Sequence, residues 1–467
     1  MLRILDRNNS LCDGLSRREW LRVGGLSLGG LTLSHLLARA AAARSGSIAP
    51  RAKSAIILFN SGGIPQHESF DPKPDGPSGT RGSFGAISTR TPGYQIGELL
   101  PRTALLTDRM AVIRTMVTGD NAHSTSGYQM LTGMPHIPLN RENAGPGKPN
   151  DWPSLNALVQ GLRPPVSGLP ASISLPRRMA NNNGQDPWPG TDAGFLGRKL
   201  DPWFLTCDPN DPQFTIPGTE LPSGLSTVQL DRRLSLLEQI GSSLDNLERS
   251  SAVRDYSRYQ QQALDLLAGG KARAAFDLNR EPTALRDRYG RTRQGQSVLL
   301  ARRLVEAGVS LVQVNWANLD KNKPNSGGWD THEKHNESVK GWLLPVMDQV
   351  YSTLLEDLEQ RGLLDETLVC WVAEFGHTPR FNSKGGRDHW GRTFCITLAG
   401  GGIQGGTVHG MTDRDAAEPT DNPVRPADYL ATVLHCLGFD PETQISDVEN
   451  RPVAISRGQP LISLLKP

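Results

Sequence analysis

Cysteine is scarce in this sequence, and its few copies lie far apart. Five cysteines occur among 467 residues, and no pair has the Cys-x-x-Cys spacing of a structural zinc site or of a dithiol redox motif. Cys12 lies near the start of the chain, and the others are Cys207, Cys370, Cys395 and Cys436. Those four are compatible with free thiols or with one disulfide. A metal site built on cysteine pairs is therefore excluded.

A marked excess of charge of either sign is also absent. The 50 basic and 48 acidic residues give a net charge of +2, so the chain lacks the basic surplus of proteins that bind polyanions. We therefore expect no nucleic-acid partner. No internal repeat is visible, and the 49 glycines and 34 prolines predict many ordered loops.

A long apolar run suited to crossing a membrane is missing as well. Near the N-terminus, Arg17 and Arg18 precede a short, glycine-rich apolar stretch and an Ala-Arg-Ala cleavage site at residues 38–40. This segment resembles a twin-arginine signal, with Trp20 where phenylalanine is usual. We expect the twin-arginine translocon to recognise residues 1–45, so that the protein reaches the periplasm or cell envelope without a stable membrane span after cleavage. A chance arginine pair and an uncleaved N-terminal anchor are the alternatives.

Five short apolar runs rich in β-branched residues predict buried strands. They are AIILF (55–59), MAVIRTM (110–116), VSLVQVNW (309–316), TLVCWVAEF (367–375) and FCITLAG (394–400). Between them, the spacing of apolar residues predicts helices over 297–308 and 343–362, each ending at a glycine. Strands that alternate with helices are typical of an α/β domain whose central, mainly parallel sheet is covered by helices on both faces.

The chain beyond the N-terminal segment has the length of one large domain, which we place at residues 50–467. Residues from about 140 to 220 are rich in proline, glycine and asparagine, and we expect irregular loops there at one edge of the sheet. Residues from about 223 to 290 have a helical, charged pattern and are expected to form a peripheral helical insertion.

Carboxylates and imidazoles recur just beyond the predicted strands. Glu68 and Asp71 follow the first strand, His123 the second, Asp330 and His332 the third, and Glu374 the fourth, while Asp388 and His389 immediately precede the fifth. Because α/β enzymes form their sites at the carboxyl ends of strands, we expect these side chains to gather there. Such mixed nitrogen and oxygen ligands suit one or two divalent ions, with zinc as the first choice and manganese, calcium or magnesium as alternatives.

Each of these motifs also has an ordinary structural explanation. An Asp-x-His sequence in a loop is commonly a turn, and FDPKP (70–74) is compatible with an Asp-Pro turn. In NAHSTSGYQMLTG (121–133), hydroxyls stand where a helix begins. They either cap that helix or place a nucleophile at the positive end of its dipole. His335 and His377 are expected at the surface or beside the ligands.

Several of these segments together resemble one exported family. The segments RYGRTRQGQSVLLARRLVEAGVSLVQV, GGWDTHEKH, AEFGHTPRFN, GRDHW, LAGGGIQGGTVHG and GGIPQHESFDPKP are similar to the family catalogued as domain of unknown function 1501. That family is grouped with the alkaline phosphatase and sulfatase superfamily, and the likeness covers nearly the whole mature chain. The family usually has Asp where this chain has Glu68, and Arg where it has His377.

The resemblance implies an alkaline phosphatase/sulfatase-like fold and an exported, metal-dependent hydrolase of phosphate or sulfate esters, acting on anionic esters that include sulfated or phosphorylated glycans. A sulfatase register puts His123 at the nucleophile position, whereas a phosphoglycerate mutase register puts Ser124 there. Arg387 or Arg392 is expected to clamp the free oxygens of the anion or to form a surface salt bridge.

Phe375 stands where superfamily members have a histidine ligand, so one of two metal sites is expected to be rebuilt or missing. Two alternatives to the hydrolase stay open, and the Phe375 substitution and the unsettled nucleophile support the first. One is a catalytically degenerate member that binds such glycans without turnover, and the other is a structural envelope protein.

Overall fold

The computed structural model describes residues 51–166, 168–181, 186–216, 229, 232, 270–316 and 327–467. The predicted signal at residues 1–45 and most of the predicted helical insertion lie outside the described residues. The chain from residue 50 to residue 466 clusters as one compact unit.

The strands follow the apolar runs of the sequence, and all five predicted strands are present. In chain order the strands of the described part are β1 Ser54–Phe59, β2 Ala86–Ser88, β3 Gln95–Gly97, β4 Met110–Met116, β5 Ser172–Leu175, β6 Trp203–Phe204, β7 Leu311–Asn315, β8 Thr367–Val372, β9 Gly376–His377, β10 His389–Trp390, β11 Phe394–Ala399, β12 Thr407–His409, β13 Met411–Thr412, β14 Pro419–Asp421, β15 Gln444–Ser446 and β16 Pro452–Ala454.

The helices lie between these strands, and both predicted helices are present. The α-helices are α1 Pro101–Ala104, α2 His123–Thr132, α3 Leu155–Leu162, α4 Gly270–Phe276, α5 Thr283–Tyr289, α6 Arg293–Glu306, α7 His335–Ser338, α8 Leu344–Gln360 and α9 Pro426–Cys436. A π-helical turn, Val339–Leu343, joins α7 to α8. Across the ranges that the structure describes, no helix is both long enough and apolar enough to cross a bilayer.

Eight strands form one sheet in the order β12-β4-β11-β8-β1-β7-β5-β6. β1 runs parallel to both of its neighbours, β7 and β8, and the pairings β7 with β5, β5 with β6, and β4 with β12 are also parallel. β11 is the exception, because it is antiparallel to both β4 and β8. The predicted α/β class with a central, mainly parallel sheet is confirmed.

The reversed direction of β11 matters for the residues that precede it. The parallel strands end at one edge of the sheet, and an antiparallel strand begins at that same edge. Asp388 and His389 come before β11, so they lie at the carboxyl edge of the parallel strands. If β11 were parallel, both residues would lie at the opposite edge.

The core surrounds the middle of the sheet. β1, β8 and β11 are buried at every position, which requires cover on both faces. α6 packs along β1 and β7, and α8 packs on α6. On α6, Leu299, Leu300 and Leu304 are fully buried in the main core. Burial of each such leucine contributes about 1.5–3 kcal/mol.

The segment from about 140 to 220 is more regular than expected. It contains α3, and β5 and β6 extend the central sheet beyond β7. The expectation of irregular loops is therefore incorrect for these elements. β5 and β6 have four and two residues, which is too short for hydrophobic periodicity to separate them from the surrounding proline-rich loops.

The C-terminal part of the predicted insertion, from residue 270 onward, is not peripheral. α4 and α5 both pack against α6. Ala272, Phe276 and Tyr289 are buried within the main hydrophobic core. The part of the insertion before residue 270, apart from residues 229 and 232, lies outside the described residues.

The structure answers whether the cysteines are free thiols or form a disulfide. Cys207, Cys370, Cys395 and Cys436 are all free thiols, and the last three are buried.

Candidate metal centre

Four loops bring charged side chains together at the carboxyl edge of the sheet. His123 opens α2 after β4, Glu374 follows β8, and His389 lies in β10 ahead of β11. Asp330 and His332 lie between β7 and α7. β4, β11 and β8 are adjacent in the sheet, and β7 is separated from β8 only by β1, so five residues that are distant in sequence come together.

The Asp330 carboxylate lies at the centre of this cluster. Its Oδ1 is 2.9 Å from Nε2 of His332 and 2.9 Å from Nε2 of His389. Its Oδ2 is 3.2 Å from Nε2 of His123. The ring centroids of His123 and His389 are 4.3 Å apart, and those of His332 and His389 are 4.6 Å apart. Three imidazoles thus present the same ring nitrogen to one carboxylate.

The other nitrogen of each ring, Nδ1, is at hydrogen-bond distance from an acceptor oxygen. The three pairs are His123 with Glu374 Oε1 (2.8 Å), His332 with Asp388 Oδ1 (2.7 Å) and His389 with the Asn121 carbonyl (2.7 Å). Because each oxygen accepts, Nδ1 carries a hydrogen, and a metal ion at Nε2 would take the place of the proton that Nε2 otherwise donates to Asp330. Histidines that bind metals characteristically donate their other N–H to a carboxylate or carbonyl in this way.

The acceptors of these bonds are themselves held in place. Glu374 Oε1 also accepts from the backbone N–H of Gly62 at 2.8 Å, and the Glu374 carbonyl accepts from Ser126 Oγ at 2.6 Å. Asp388 Oδ1 accepts from Asn382 Nδ2 at 3.0 Å. The orientation of the imidazoles is therefore fixed by the surrounding fold.

The charges of the cluster balance one another closely. Burial alone would lower the pKa of His123, but its bonds to Asp330 and Glu374 raise that pKa to about 10. Burial alone would raise the pKa of Asp330, whereas His123 and His389 hold it well below its ordinary value. Burial alone would raise the pKa of Asp388, but its bond to His332 outweighs burial and lowers that pKa. Asp330 and Asp388 are therefore ionised at neutral pH, and the protonated His123 is the cation beside Asp330.

The donor set fits a divalent metal ion. Three imidazole nitrogens and one carboxylate meet the four-ligand, nitrogen-rich preference of zinc. The ligand atoms of Asp330, His332 and His389 all lie within 4.8 Å of one another. Glu374 lies behind His123, and its Oε2 is buried without a hydrogen-bond partner in the described part of the chain.

Glu68 and Asp71 do not join the cluster, which corrects the expectation that they are ligands. Glu68 is fully buried and forms ion pairs with Arg387 at 3.0 Å and with His335 at 3.3 Å. Asp71 pairs with Lys73 at 3.0 Å and with Arg114 at 3.3 Å. Both carboxylates are already neutralised by cationic side chains, so neither is available for a metal ion.

Arg387 is likewise not placed to hold a substrate anion. Its side chain is fully buried, donates to the carbonyls of Thr378 and Pro379 and to Glu68, and packs over the Phe381 ring. Arg392, the alternative clamp, is 60% exposed and pairs with Glu418. The predicted clamp at Arg387 is therefore corrected to a buried structural ion pair.

Ser124 is buried, and its hydroxyl is engaged by a loop. Its Oγ donates to the Arg141 carbonyl at 3.0 Å and accepts from the Ala144 N–H at 2.9 Å. Ala122 is the N-cap residue of α2, its own side chain makes no capping hydrogen bond, and the first N–H of the helix, that of His123, donates to Glu142. Ser124 is therefore neither a helix cap nor a free nucleophile, and both expectations for it are corrected.

Two features of the site carried no motif in the sequence. Glu142 is exposed, and its carboxylate lies within 4.8 Å of ligand atoms of His123 and His389. The Asn121 carbonyl orients His389. Glu142 is a single acid in a loop rich in glycine and proline, and the Asn121 contact uses a backbone carbonyl. Neither feature leaves a signal in the sequence. Phe375, which the sequence did single out, stacks on His389 with ring centroids 4.2 Å apart and thus shapes the site without binding an ion.

The fold and the site define an α/β protein with a histidine and carboxylate centre at the carboxyl edge of its sheet. This chain belongs to the family described as "Protein of unknown function (DUF1501)", which matches residues 52–465. The resemblance to domain of unknown function 1501 is thereby confirmed. No curated protein matches the chain.

Solved structures similar to this chain are distant in sequence. A phosphonate monoester hydrolase from Silicibacter pomeroyi is 10% identical, with a TM-score of 0.41 and coverage of 87% of this chain and 75% of that one. A sulfatase from a Pseudoalteromonas species is 13% identical, with a TM-score of 0.36 and coverage of 91% and 72%. An alkaline phosphatase superfamily protein from Vibrio parahaemolyticus is 11% identical, with a TM-score of 0.36 and coverage of 85% and 68%. Similarity at this level does not identify an activity.

Proposed function

We propose that this protein is an exported, metal-dependent hydrolase of phosphate or sulfate esters. The observation that supports it most is the convergence of three histidine Nε2 atoms on the Asp330 carboxylate. Convergence of this kind at the carboxyl edge of a parallel sheet is typical of a metal-dependent active site.

The residues of the chain divide into two roles in this proposal. Asp330, His123, His332 and His389 hold the ion, and the Nδ1 partners of the three rings keep their Nε2 atoms aimed at it. A bound divalent ion would supply Lewis acidity to a phosphoryl or sulfuryl oxygen. The side chains of His332 and Asp330 are 44% and 38% exposed, whereas that of His123 is only 10% exposed. The centre is thus open to an anionic ester on one side and enclosed on the other.

Zinc is the ion that this donor set favours. Imidazole nitrogen suits zinc and other first-row transition metals, whereas calcium and magnesium prefer oxygen ligands throughout. Manganese remains the second choice because it accepts carboxylate and imidazole together. One ion is expected, since the three rings face a single carboxylate.

Water is the nucleophile in the proposed reaction, because the Ser124 hydroxyl is buried and bonded on both sides. Attack of water on phosphorus or sulfur breaks the ester bond to the bridging oxygen. The products are an alcohol and inorganic phosphate or sulfate, with the proton of the attacking water transferred to the departing oxygen. Sulfated or phosphorylated glycans belong to the proposed substrates, and export by Arg17 and Arg18 would give access to them.

Binding of such an anion without turnover is the second candidate function. The buried Ser124 hydroxyl favours it, because no activated side-chain nucleophile is apparent among the contacts described for the cluster. Phe375 favours it too, since an aromatic ring stacked on His389 cannot bind a second ion. A degenerate member of this kind would retain metal and anion affinity and lack hydrolysis.

The test is elemental analysis of protein folded in its native host, followed by rates with aryl phosphate and aryl sulfate. Wild type should retain about one divalent ion per chain, and Asp330→Asn should lose both the ion and turnover. Asp365→Asn is the matched control, because Asp365 is 82% exposed and pairs only with the surface Lys466 among the ion pairs described for it. Metal retention without turnover would favour the binding role. Absence of metal from the wild type would favour a structural envelope protein.

A further inference from the structure

Ser124 fixes the backbone on both sides of Glu142. The serine hydroxyl donates to the carbonyl of Arg141, the residue before Glu142. It accepts from the N–H of Ala144, two residues after Glu142. A single buried hydroxyl thus sets the position of the turn that carries this acid.

The turn has a defined conformation of its own. Asn140 and Asn143 have φ values of 55° and 54°, in the left-handed region that asparagine tolerates better than most residues. The Asn140 side chain accepts from the N–H of Asn121 at 2.8 Å, and the Ala144 carbonyl accepts from Asn181 at 3.2 Å. The turn is therefore bonded to the body of the protein at several points.

The turn directs the Glu142 carboxylate to the histidine cluster. Its Oε1 accepts from the backbone N–H of His123 at 2.8 Å. The carboxylate also lies within 4.8 Å of ligand nitrogens of His123 and His389. Since Glu142 is exposed, it approaches these rings from the solvent side.

We propose that Glu142 is an additional ligand of the divalent ion and that Ser124 is the positioning residue that presents it. The proposal rests on the metal centre of the proposed function and not on hydrolysis. With Glu142, the centre has four carboxylates beside three imidazoles, and Glu374 Oε2 is buried without a hydrogen-bond partner in the described part of the chain. A divalent cation is the ligand that this surplus of acidic groups accommodates. The loop would thereby close the solvent side of the centre.

The experiment is calorimetric titration of metal-free full-length protein with zinc alone, on wild type, Glu142→Gln, Ser124→Ala and the double variant. Glutamine keeps an oxygen that accepts from the His123 N–H, so Glu142→Gln removes ligand charge without removing that bond. We expect Glu142→Gln to raise the zinc Kd about tenfold or more. Ser124→Ala should also raise the zinc Kd. The double variant should bind zinc no more weakly than Glu142→Gln does.

Two control variants accompany the series. Lys148→Ala changes an exposed side chain of the same loop, and Glu337→Gln removes an exposed acid from α7. Both should bind zinc as the wild type does. Melting curves of the metal-free variants separate loss of the fold from loss of affinity, because a purely structural effect of Ser124→Ala would lower the melting temperature and leave zinc affinity unchanged.

The outcomes separate this inference from the proposed function. Unchanged affinity in Glu142→Gln overturns the ligand role alone while the metal centre stands. Additive losses in the double variant overturn the positioning role of Ser124. A wild type that binds no zinc overturns the metal centre together with this inference.

Discussion

The carboxylate of Glu68 accepts from the guanidinium of Arg387 at 3.0 Å, and neither side chain is exposed to solvent. Glu68 lies in the segment after β1, whereas Arg387 directly precedes the cluster residue Asp388. The ion pair therefore joins the loop after β1 to the loop that carries Asp388. His335, at 3.3 Å from Glu68, connects the pair to the start of α7.

The first prediction follows from the free-energy cost of a buried charge that has lost its partner of opposite charge. At pH 7, Glu68→Gln should lower the free energy of unfolding by about 3–5 kcal/mol, because a buried guanidinium loses its counter-charge. Glu366→Gln is the control, since Glu366 is 45% exposed and pairs with the exposed Lys53. That change should cost at most about 1 kcal/mol. Chemical denaturation measures both.

The same pair predicts a pH dependence. Burial alone would raise the pKa of Glu68, but Arg387 and His335 outweigh burial and lower it. As pH falls below about 4.5, the ordinary pKa of glutamate, the unfolded chain takes up this proton before the folded one does. The stability difference between wild type and Glu68→Gln should therefore shrink by up to about 1.4 kcal/mol per pH unit in that range. A difference that stays constant from pH 6 to pH 3 would contradict the assignment.

The second prediction separates residues that bind the ion from residues that orient its ligands. Asp330→Asn should abolish zinc binding, because Asp330 contacts all three Nε2 atoms. Glu374→Gln and Asp388→Asn should keep one ion per chain and weaken its binding about 10- to 100-fold, since each carboxylate meets its histidine at Nδ1 and not at Nε2. Zinc titration with Asp365→Asn as reference checks this order. Equal losses in all three variants would place Glu374 and Asp388 among the direct ligands.

The fold was predictable from the sequence where hydrophobic patterns were long. The five buried strands follow from continuous apolar runs, because a strand that is buried on both faces requires apolar residues at every position. The two helices follow from the spacing of their apolar residues. The direction of β11 was not predictable, since periodicity is the same for a parallel and an antiparallel strand. β5 and β6 were missed because four and two residues carry too short a pattern.

The site was predictable only in part for a related reason. Position after a strand placed His123 and Asp330 at the correct edge, but it says nothing about which partner each side chain meets. His389 precedes β11, and it lies at that edge because β11 is antiparallel to its neighbours. Glu68 follows a strand in the same way and is turned to Arg387 instead. The positioning of Glu142 depends on two hydrogen bonds of the Ser124 hydroxyl, to Arg141 and to Ala144, which lie 17 and 20 positions further along the chain. No local motif records such bonds.

The third prediction concerns export. Replacing Arg17 and Arg18 by lysine should retain the protein in the cytoplasm, because the twin-arginine translocon recognises the pair itself rather than its charge. Cell fractionation and immunoblotting of wild type and the double variant measure this. Arg39→Lys, a single change outside the pair, serves as control. Normal export of the double-lysine variant would indicate a different route and remove the argument that the protein folds before transport.

The last prediction tests how closely the loops around the centre approach one another. Gly62 has a φ of +111°, and a Cβ there would lie 2.3 Å from the backbone nitrogen of Asp330 and 2.7 Å from the carbonyl carbon of Trp329. Its N–H also donates to Glu374 at 2.8 Å. Gly62→Ala should therefore displace both Asp330 and Glu374, and we expect zinc affinity to fall more than tenfold.

Gly93 provides the matched control for that change. Its φ is +78°, but a Cβ at this position would have no atom within 4 Å among the described residues outside its chain neighbours, so Gly93→Ala tests backbone strain alone. We expect it to cost about 1–2 kcal/mol of stability and to leave zinc affinity unchanged. Thermal denaturation and zinc titration of both variants distinguish strain from contact. Equal zinc affinity in Gly62→Ala and Gly93→Ala would mean that the approach of Gly62 to Asp330 does not position the metal ligand.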